Sequence, residues 1–261
     1  MAIIALASGS GSPGVTATAL GLALTWPRPV VVIEADPSGS NGLLAGYFRG
    51  ATEVSDGLYE LVMAGMSGDI SGMLPLIAMP IPDSRVMVVP GIRSPEQAWT
   101  LEEFWPMLLP VLRDLDRTGQ DVIVDAGRLG LAGSPTLVFN EADVALLVAR
   151  SSLPALAGAR PWAASLRETF ADIAGVNRLG MLVIGPGRPY SARNIAEAVG
   201  VPVVASVGWN PDCAEVLSAG ARRPRWRYGR FIGDVRAAGE SIRTVLENNR
   251  RETRMGVIAD A

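Results

Sequence analysis

Residues 8–16 read Ser8-Gly9-Ser10-Gly11-Ser12-Pro13-Gly14-Val15-Thr16, a glycine-rich turn between the apolar run 2–7 and the helical stretch 15–24. A turn of this kind directs backbone N–H groups and the positive end of a helix toward an anion. The turn therefore predicts a phosphate-binding loop after the first strand of an α/β domain.

One pattern that fits this turn is the dinucleotide-binding sequence G-x-G-x-x-G, which Gly9, Gly11 and Gly14 satisfy. Glu34 follows Gly14 by 20 residues at the end of the second predicted strand. A Rossmann domain places its ribose-binding carboxylate there. This pattern predicts a nicotinamide or flavin enzyme as one alternative.

The second pattern is the P-loop, G-x-x-x-x-G-K-[ST], for which Gly9, Gly14 and Thr16 have the correct spacing. Val15 stands at the lysine position, so the match is the weaker one when the loop is considered alone. A third interpretation is a tight strand-to-helix turn without any ligand. The rest of the chain has to decide among the three.

Composition excludes several kinds of chemistry. All 23 basic residues are arginine, and the chain has no histidine, so no mechanism can use a lysine or histidine of its own.

The single cysteine, Cys213, cannot form an internal disulfide, and we expect it to fill space in the core of a cytoplasmic protein. The net charge of −3 excludes a chain that binds nucleic acid through its overall charge. No apolar run reaches the length of a membrane span, and no basic segment precedes the first strand.

Strand and helix patterns alternate along the chain, which predicts a doubly wound, mostly parallel sheet with helices on both faces. We expect one domain over residues 1–249 and a frayed tail over 250–261. Pro106 and Pro110 should break or kink a helix that ends near residue 117. Segments 66–83 and 221–229 have the least regular patterns, and the last helix is predicted over 232–249.

Several segments, in order, resemble the ParA/MinD family of P-loop ATPases. The family loop K-G-G-x-G-K-T places its two lysines on Ser10 and Val15. The family's D-x-D-P follows the second strand, where this chain has Glu34-Ala35-Asp36-Pro37. Its Walker B strand ends in an aspartate, as the run 121–125 does, although the loop 126–130 lacks the family's prolines. Its "helix, Gly, x, Pro, Val" passage resembles 195–203, and the likeness extends from residue 2 to about 245.

The resemblance implies a P-loop fold and a set of site residues. Those expected to bind nucleotide are Gly9, Ser10, Gly11, Ser12, Gly14, Val15 and Thr16. Thr16 and Asp125 match the magnesium ligands, and Asp36 matches the aspartate that positions the attacking water. The place that reads adenine in the family falls at about Gly185-Pro186, which has no amide side chain.

The resemblance further implies a positioning protein that uses ATP and magnesium. Because both loop lysines are missing, we expect weak nucleotide binding with little or no hydrolysis. Members with eroded loops include the TadZ/CpaE-like proteins, so placement of pilus or secretion machinery is the first expected process, and chromosome or plasmid partition is the second. An active NTPase that uses an arginine such as Arg128 instead of lysine is the enzymatic alternative. In the family the first loop lysine reaches the partner subunit of a homodimer formed across two nucleotides. Ser10 stands at that position here and cannot do so, so we expect that any dimer does not depend on nucleotide.

The stretch 222–230 is rich in arginine and aromatic residues and has no acidic residue. Its five arginines are Arg222, Arg223, Arg225, Arg227 and Arg230. Arginines between aromatic side chains suit DNA, an anionic membrane or a protein partner. A solvated loop whose arginine stems lie on apolar surface is the alternative.

Overall fold

The computed structural model describes residues 1–11, 13–39, 42–50, 56–173 and 175–259, with side chains as far as residue 252. Ser12 of the predicted nucleotide loop lies outside the described residues. The strands of the described part form one sheet: β1 (Ile3–Ser8), β2 (Val30–Glu34), β3 (Met79–Pro80), β4 (Val86–Val89), β5 (Asp121–Arg128), β6 (Val144–Arg150), β7 (Leu179–Ile184) and β8 (Val203–Val207).

The helices alternate with these strands, as the hydrophobic patterns predict. They are α1 (Val15–Thr25), α2 (Leu58–Ser67), α3 (Ile70–Ile77), α4 (Ala98–Asp114), α5 (Thr136–Asn140), α6 (Leu153–Asp172), α7 (Ala192–Val199), α8 (Pro211–Ser218) and α9 (Arg230–Ala259). A short π-helix, Leu43–Tyr47, follows β2. None of the described helices is both long enough and apolar enough to cross a membrane.

The strand order is β3-β4-β2-β5-β1-β6-β7-β8, and every neighbouring pair is parallel except β3 with β4. The predicted fold class is therefore confirmed. In a Rossmann domain β2 pairs directly with β1. Here β5 lies between them, which contradicts the dinucleotide-binding alternative.

Two hydrophobic layers enclose the sheet. Helices α2 to α7 pack on one face, and α1, α8 and α9 pack on the other. Strand β1 shows the division, since Ile3 and Ala5 belong to the first layer while Ile4 and Leu6 belong to the second. Cys213 lies in the second layer, almost fully buried, as expected of core filler.

Some local predictions were wrong. Helix α4 does not break at Pro106 or Pro110, which lie four residues apart on its exposed face, where water can satisfy the carbonyl groups that they release. Whether they kink it stays a prediction. The segment predicted to be irregular over 66–83 contains α3, which Asp69 caps through a bond from the Gly72 amide. Helix α9 continues ten residues beyond Asn249. Whether the tail frays stays a prediction.

Asp121, at the start of β5, ties the amino end of the sheet together. Its side chain is buried, and its two oxygens accept bonds from the Ala2 amide at 2.7 Å and the Trp26 indole at 2.8 Å. The guanidinium of Arg28 lies 3.4 Å from the same carboxylate. The Asp121 carboxylate therefore joins β1, β5 and the end of α1 on the side of the sheet away from the loop.

Asp121→Ala should lower the free energy of unfolding by about 2–4 kcal/mol, because it leaves buried donors without an acceptor. Urea titration followed by circular dichroism measures this change. The matched control is Asp114→Ala, which removes an exposed ion pair with Arg117 and should cost less than about 0.5 kcal/mol. Equal midpoints for the two variants would contradict this account of Asp121.

Candidate nucleotide site

A cavity of about 550 Å³ opens at the carboxyl ends of the central strands. The residues that line it come from the glycine loop and α1, from the ends of β2, β5 and β6, and from β8 with α8. They include Gly11, Gly14, Val15, Thr16, Asp36, Arg128, Arg150, Trp209 and Phe231. In doubly wound sheets, ligands bind in this crevice where the strand order reverses.

The glycine loop turns into α1 through glycines in the left-handed region. Gly11 has φ +67° and Gly14 has φ +103°, which other residues adopt only with strain. Gly14 is also the N-cap residue of α1, so no capping side chain competes for the N–H groups of the first turn. These N–H groups, together with the helix dipole, favour an anion in the cavity.

Two residues of the loop, Gly9 and Ser10, pack against α6 and do not line the cavity. A Cβ atom on Gly9 would lie 2.7 Å from the Trp162 ring, and one on Gly158 would lie 2.0 Å from the Ser10 hydroxyl. Gly158 and Trp162 are four residues apart and share one face of α6. The sequence reasoning missed both, because only the folded chain brings α6 against the loop. The role of Gly9 and Ser10 toward nucleotide stays a prediction.

Two predicted carboxylates meet at the ends of β2 and β5. Asp125 is fully buried in β5, opposite Glu34 in register, and Asp36 lies two residues beyond the end of β2. Gly127 has φ +60°, and a Cβ there would lie 2.3 Å from Cγ of Asp36. The glycine thus lets the Asp36 carboxylate lie directly against β5. Asp36 also accepts a bond from the Ser38 amide at 2.9 Å, so it both shapes its turn and lines the cavity.

The Asp125 carboxylate has an incomplete set of partners. Oδ1 accepts the Gly127 amide at 3.1 Å, whereas Oδ2 has no hydrogen-bond partner among the described residues. Burial raises the pKa of Asp125 to about 7, and the negative charges of Glu34 and Asp36 act in the same direction. The nearby Thr16 hydroxyl and the Gly127 amide oppose that rise only in part. An unpartnered buried carboxylate at this point is suited to a cation.

Magnesium fits these residues in the way that nucleotide sites usually hold it. No group of three or more acidic, cysteine or histidine side chains is arranged to hold a metal ion alone in the described ranges. Mg²⁺ commonly takes one or two carboxylates together with phosphate oxygens and water. The Thr16 hydroxyl and Asp125 would hold it here, and the ion would neutralise phosphate charge.

Glu34 has a structural role. It is buried and does not line the cavity, and its two oxygens accept the amides of Leu43 at 3.0 Å and Gly91 at 3.1 Å. Burial raises its pKa, although these backbone bonds oppose the rise. The ribose-binding role that the spacing from Gly14 suggested is therefore contradicted.

The far end of the cavity differs from what the family likeness implied. Gly185 forms part of the strand end, with its amide bonded to the Val207 carbonyl. The amide side chain that lines this end of the cavity is Asn210, whose Oδ1 caps α8 by accepting the Cys213 amide at 3.1 Å. Trp209 also lines the cavity, and the guanidinium of Arg150 lies 4.9 Å from the centre of its ring. Sequence reasoning missed this pair, since Arg150 and Trp209 follow different strands. The only signal in the sequence was that Arg150 and Trp209 each come at the end of an apolar run that predicts a buried strand.

The arginine stretch forms the loop between α8 and α9, and its five arginines are exposed. Ser218 and Phe231, on either side of the loop, line the cavity, so the stretch stands at its rim. Arg223 pairs with Asp212, and Arg227 donates to the Tyr47 hydroxyl at 3.1 Å.

Comparison with known proteins supports the fold assignment. No protein-family model matches the chain. An uncharacterised protein of Mycobacterium tuberculosis is 27% identical over 239 residues, covering 87% of this chain and 60% of its own length. The chain thus spans about 60% of the length of this curated relative.

Solved structures of MinD and ParA-family proteins have this architecture. MinD of Pyrococcus horikoshii with Mg-ADP is 18% identical, with a TM-score of 0.69 over 92% of this chain and 95% of that chain. A ParA-family ATPase of Chlorobium tepidum is 13% identical, with a TM-score of 0.70 over 91% and 98%. A variant of McdA of Cyanothece with ATP is 17% identical, with a TM-score of 0.67 over 95% and 96%.

The chain has the fold of the MinD and ParA P-loop ATPases. The structural likeness extends over nearly the whole chain, including the loop before α1 and strand β5.

The buried Asp125 should make the ligand-free protein less stable as pH rises. Its folded-state pKa of about 7 exceeds its ordinary value of 3.8, so between them the folded state binds a proton that the unfolded chain has lost. The free energy of unfolding therefore falls as pH rises from about 4 to about 7.

Asp125→Asn, which resembles the protonated form, should exceed the wild type in stability by about 2–4 kcal/mol at pH 8 and nearly equal it at pH 4. Urea titrations in EDTA at both pH values measure the difference, with the exposed Asp114→Asn as control. A wild type more stable than Asp125→Asn at pH 8 would show that the carboxylate is stabilised in a way this geometry lacks.

Proposed function

We propose that this chain is a ParA/MinD-like positioning protein whose nucleotide site has lost its lysines. It binds ATP with magnesium weakly in the cavity and hydrolyses it slowly or not at all. The observation that carries the proposal is the unpartnered, buried Oδ2 of Asp125 near the Thr16 hydroxyl, beside a loop that presents backbone N–H groups.

The solved neighbours support nucleotide and magnesium as the ligands. MinD of Pyrococcus horikoshii is bound to Mg-ADP, and the McdA variant is bound to ATP. The cavity of about 550 Å³ falls within the usual range of small-molecule sites. Thr16 and Asp125 would hold magnesium, whose charge would offset that of the carboxylate and of the phosphates.

Slow turnover follows from the absence of a lysine within the loop itself. In P-loop enzymes the loop lysine neutralises charge on the β- and γ-phosphates as the transition state forms. Stabilising groups of this kind contribute roughly 10²–10³ in rate each. Ser10 and Val15 supply no charge, and Asp36 remains in place to orient a water molecule.

We propose that the protein acts in the cytoplasm in the placement of pilus or secretion machinery. Chromosome or plasmid partition is the second candidate process. MinD of Aquifex aeolicus forms a complex with MinC, which supports a protein partner for this fold. Ser10 lies against Gly158 of its own α6. Because Ser10 has no charge to place on a partner's nucleotide, any homodimer should form independently of nucleotide.

Calorimetry should detect weak binding of ATP that requires magnesium, and a phosphate-release assay should detect turnover far below that of ordinary P-loop enzymes. Thr16→Ala should weaken the magnesium-dependent binding, because it removes a ligand of the ion without disturbing the core. Light scattering of the same samples should give one mass with and without ATP.

Ordinary P-loop turnover that disappears in Asp36→Ala and Asp125→Ala would contradict the proposed slow site. A monomer that ATP alone converts to a dimer would contradict the proposed mode of assembly.

The arginine stretch should bind a polyanion, with DNA and anionic vesicles as the probes. Each arginine–phosphate contact releases counterions, so affinity should fall steeply with salt. A quadruple alanine variant should abolish binding while the thermal unfolding midpoint stays the same. It replaces Arg222, Arg223, Arg225 and Arg227.

A matched control removes the same amount of charge from exposed helical positions elsewhere. It replaces Arg160, Arg167, Arg193 and Arg243 with alanine. Binding that survives the first variant, or that falls equally in both, would reject the stretch as the specific contact.

A further inference from the structure

Two arginines flank the phosphate loop because of the strand order. Strand β1 lies between β5 and β6. Arg128 is the last residue of β5, and Arg150 is the last residue of β6. Neighbouring strands lie about 5 Å apart, so one arginine stands on each side of the strand that enters the loop. Both line the cavity.

Of the two arginines, Arg128 lies opposite the residue at which the loop begins. It pairs in register with Ser8, whereas Ser8 pairs on the other side with Val148, two residues before Arg150. The backbone around Arg128 is fixed to β1, because the Gly127 carbonyl accepts the Ser8 hydroxyl at 3.2 Å and the Leu129 amide donates to the Ser8 carbonyl at 2.9 Å. Arg150 lies further out, stacked on Trp209.

The guanidinium of Arg128 is exposed to the cavity and forms no ion pair or hydrogen bond with any residue that the structure describes. The cavity also contains carboxylates that would repel phosphate, since Asp36 and Glu215 line it and Asp125 is buried near the Thr16 hydroxyl. An anionic ligand therefore needs a cation besides magnesium. Arginine keeps its charge in any such site and can hold two phosphate oxygens at once.

We propose that Arg128 binds the terminal phosphates of a nucleoside di- or triphosphate held by the loop, in place of the missing lysine. This inference rests on the proposed function and names the residue that supplies the charge. Arg128 enters from β5, three residues after Asp125, rather than from the loop itself. Phosphates bound by Arg128 and the loop would lie between the first turn of α1 and the end of β5, and Thr16 and Asp125 would hold magnesium.

The test is calorimetric titration of the full chain with ATP, ADP and AMP in magnesium buffer. Arg128→Ala should weaken ATP and ADP binding roughly ten- to a hundredfold, as expected for loss of a charged hydrogen bond, and leave AMP binding nearly unchanged. Arg128→Lys should restore part of the loss, because it retains the charge but not the planar fork. The slope of affinity against salt concentration should decrease for Arg128→Ala.

Arg150→Ala is the matched control, since it removes the other cavity arginine and should leave the preference of ATP over AMP intact. An Arg128→Ala protein that binds ATP within about twofold of the wild type, with the same preference over AMP, would overturn the assignment and leave the proposed function standing. A preference lost in Arg150→Ala instead would also overturn it. A wild type that binds none of the three nucleotides would reject the proposed function together with this inference.

Discussion

The arrangement of the site depends on one carboxylate placed where the fold can least accommodate a charge. Strand β5 pairs with both β1 and β2, so Asp125 lies in the centre of the sheet with no access to water. A charge there must be neutralised by a proton or balanced by a cation. The surroundings supply only part of that balance, through the Gly127 amide and the Thr16 hydroxyl.

The fold was predictable because its signals are local and repeated. Buried parallel strands read as continuous apolar runs, and the helices between them carry their own periodicity. The same logic places Thr16 and Asp36 in one cavity and Asp125 near them in the sheet, since residues at the carboxyl ends of parallel strands meet at one edge. What sequence could not give depends on tertiary packing. The contact of α6 with the loop and the stacking of Arg150 on Trp209 join segments far apart in the chain.

Glu34 shows how a correct spacing can point to the wrong role. A strand, a turn and a helix of ordinary length bring a carboxylate to the end of β2 in either kind of nucleotide-binding fold. The position of β2 in the sheet then decides what that carboxylate meets. Because β5 separates β2 from β1, Glu34 faces the amides of Leu43 and Gly91 and is shielded from the cavity. Its two bonds hold the segments that follow β2 and β4, which makes it a support for the site.

The glycines of the loop and the carboxylate behind it carry different kinds of information. Gly9 is required by packing, because a side chain there would collide with Trp162, and Gly14 is required by its backbone conformation at the start of α1. The fold would need both even without a ligand, so a glycine pattern alone is weak evidence for nucleotide binding. Asp125 has the opposite character, since an unpartnered buried carboxylate lowers the stability of the empty protein. Replacing Asp125 would make the ligand-free protein more stable, so its presence is stronger evidence for a ligand than the glycines are. This evidence does not depend on the missing lysines.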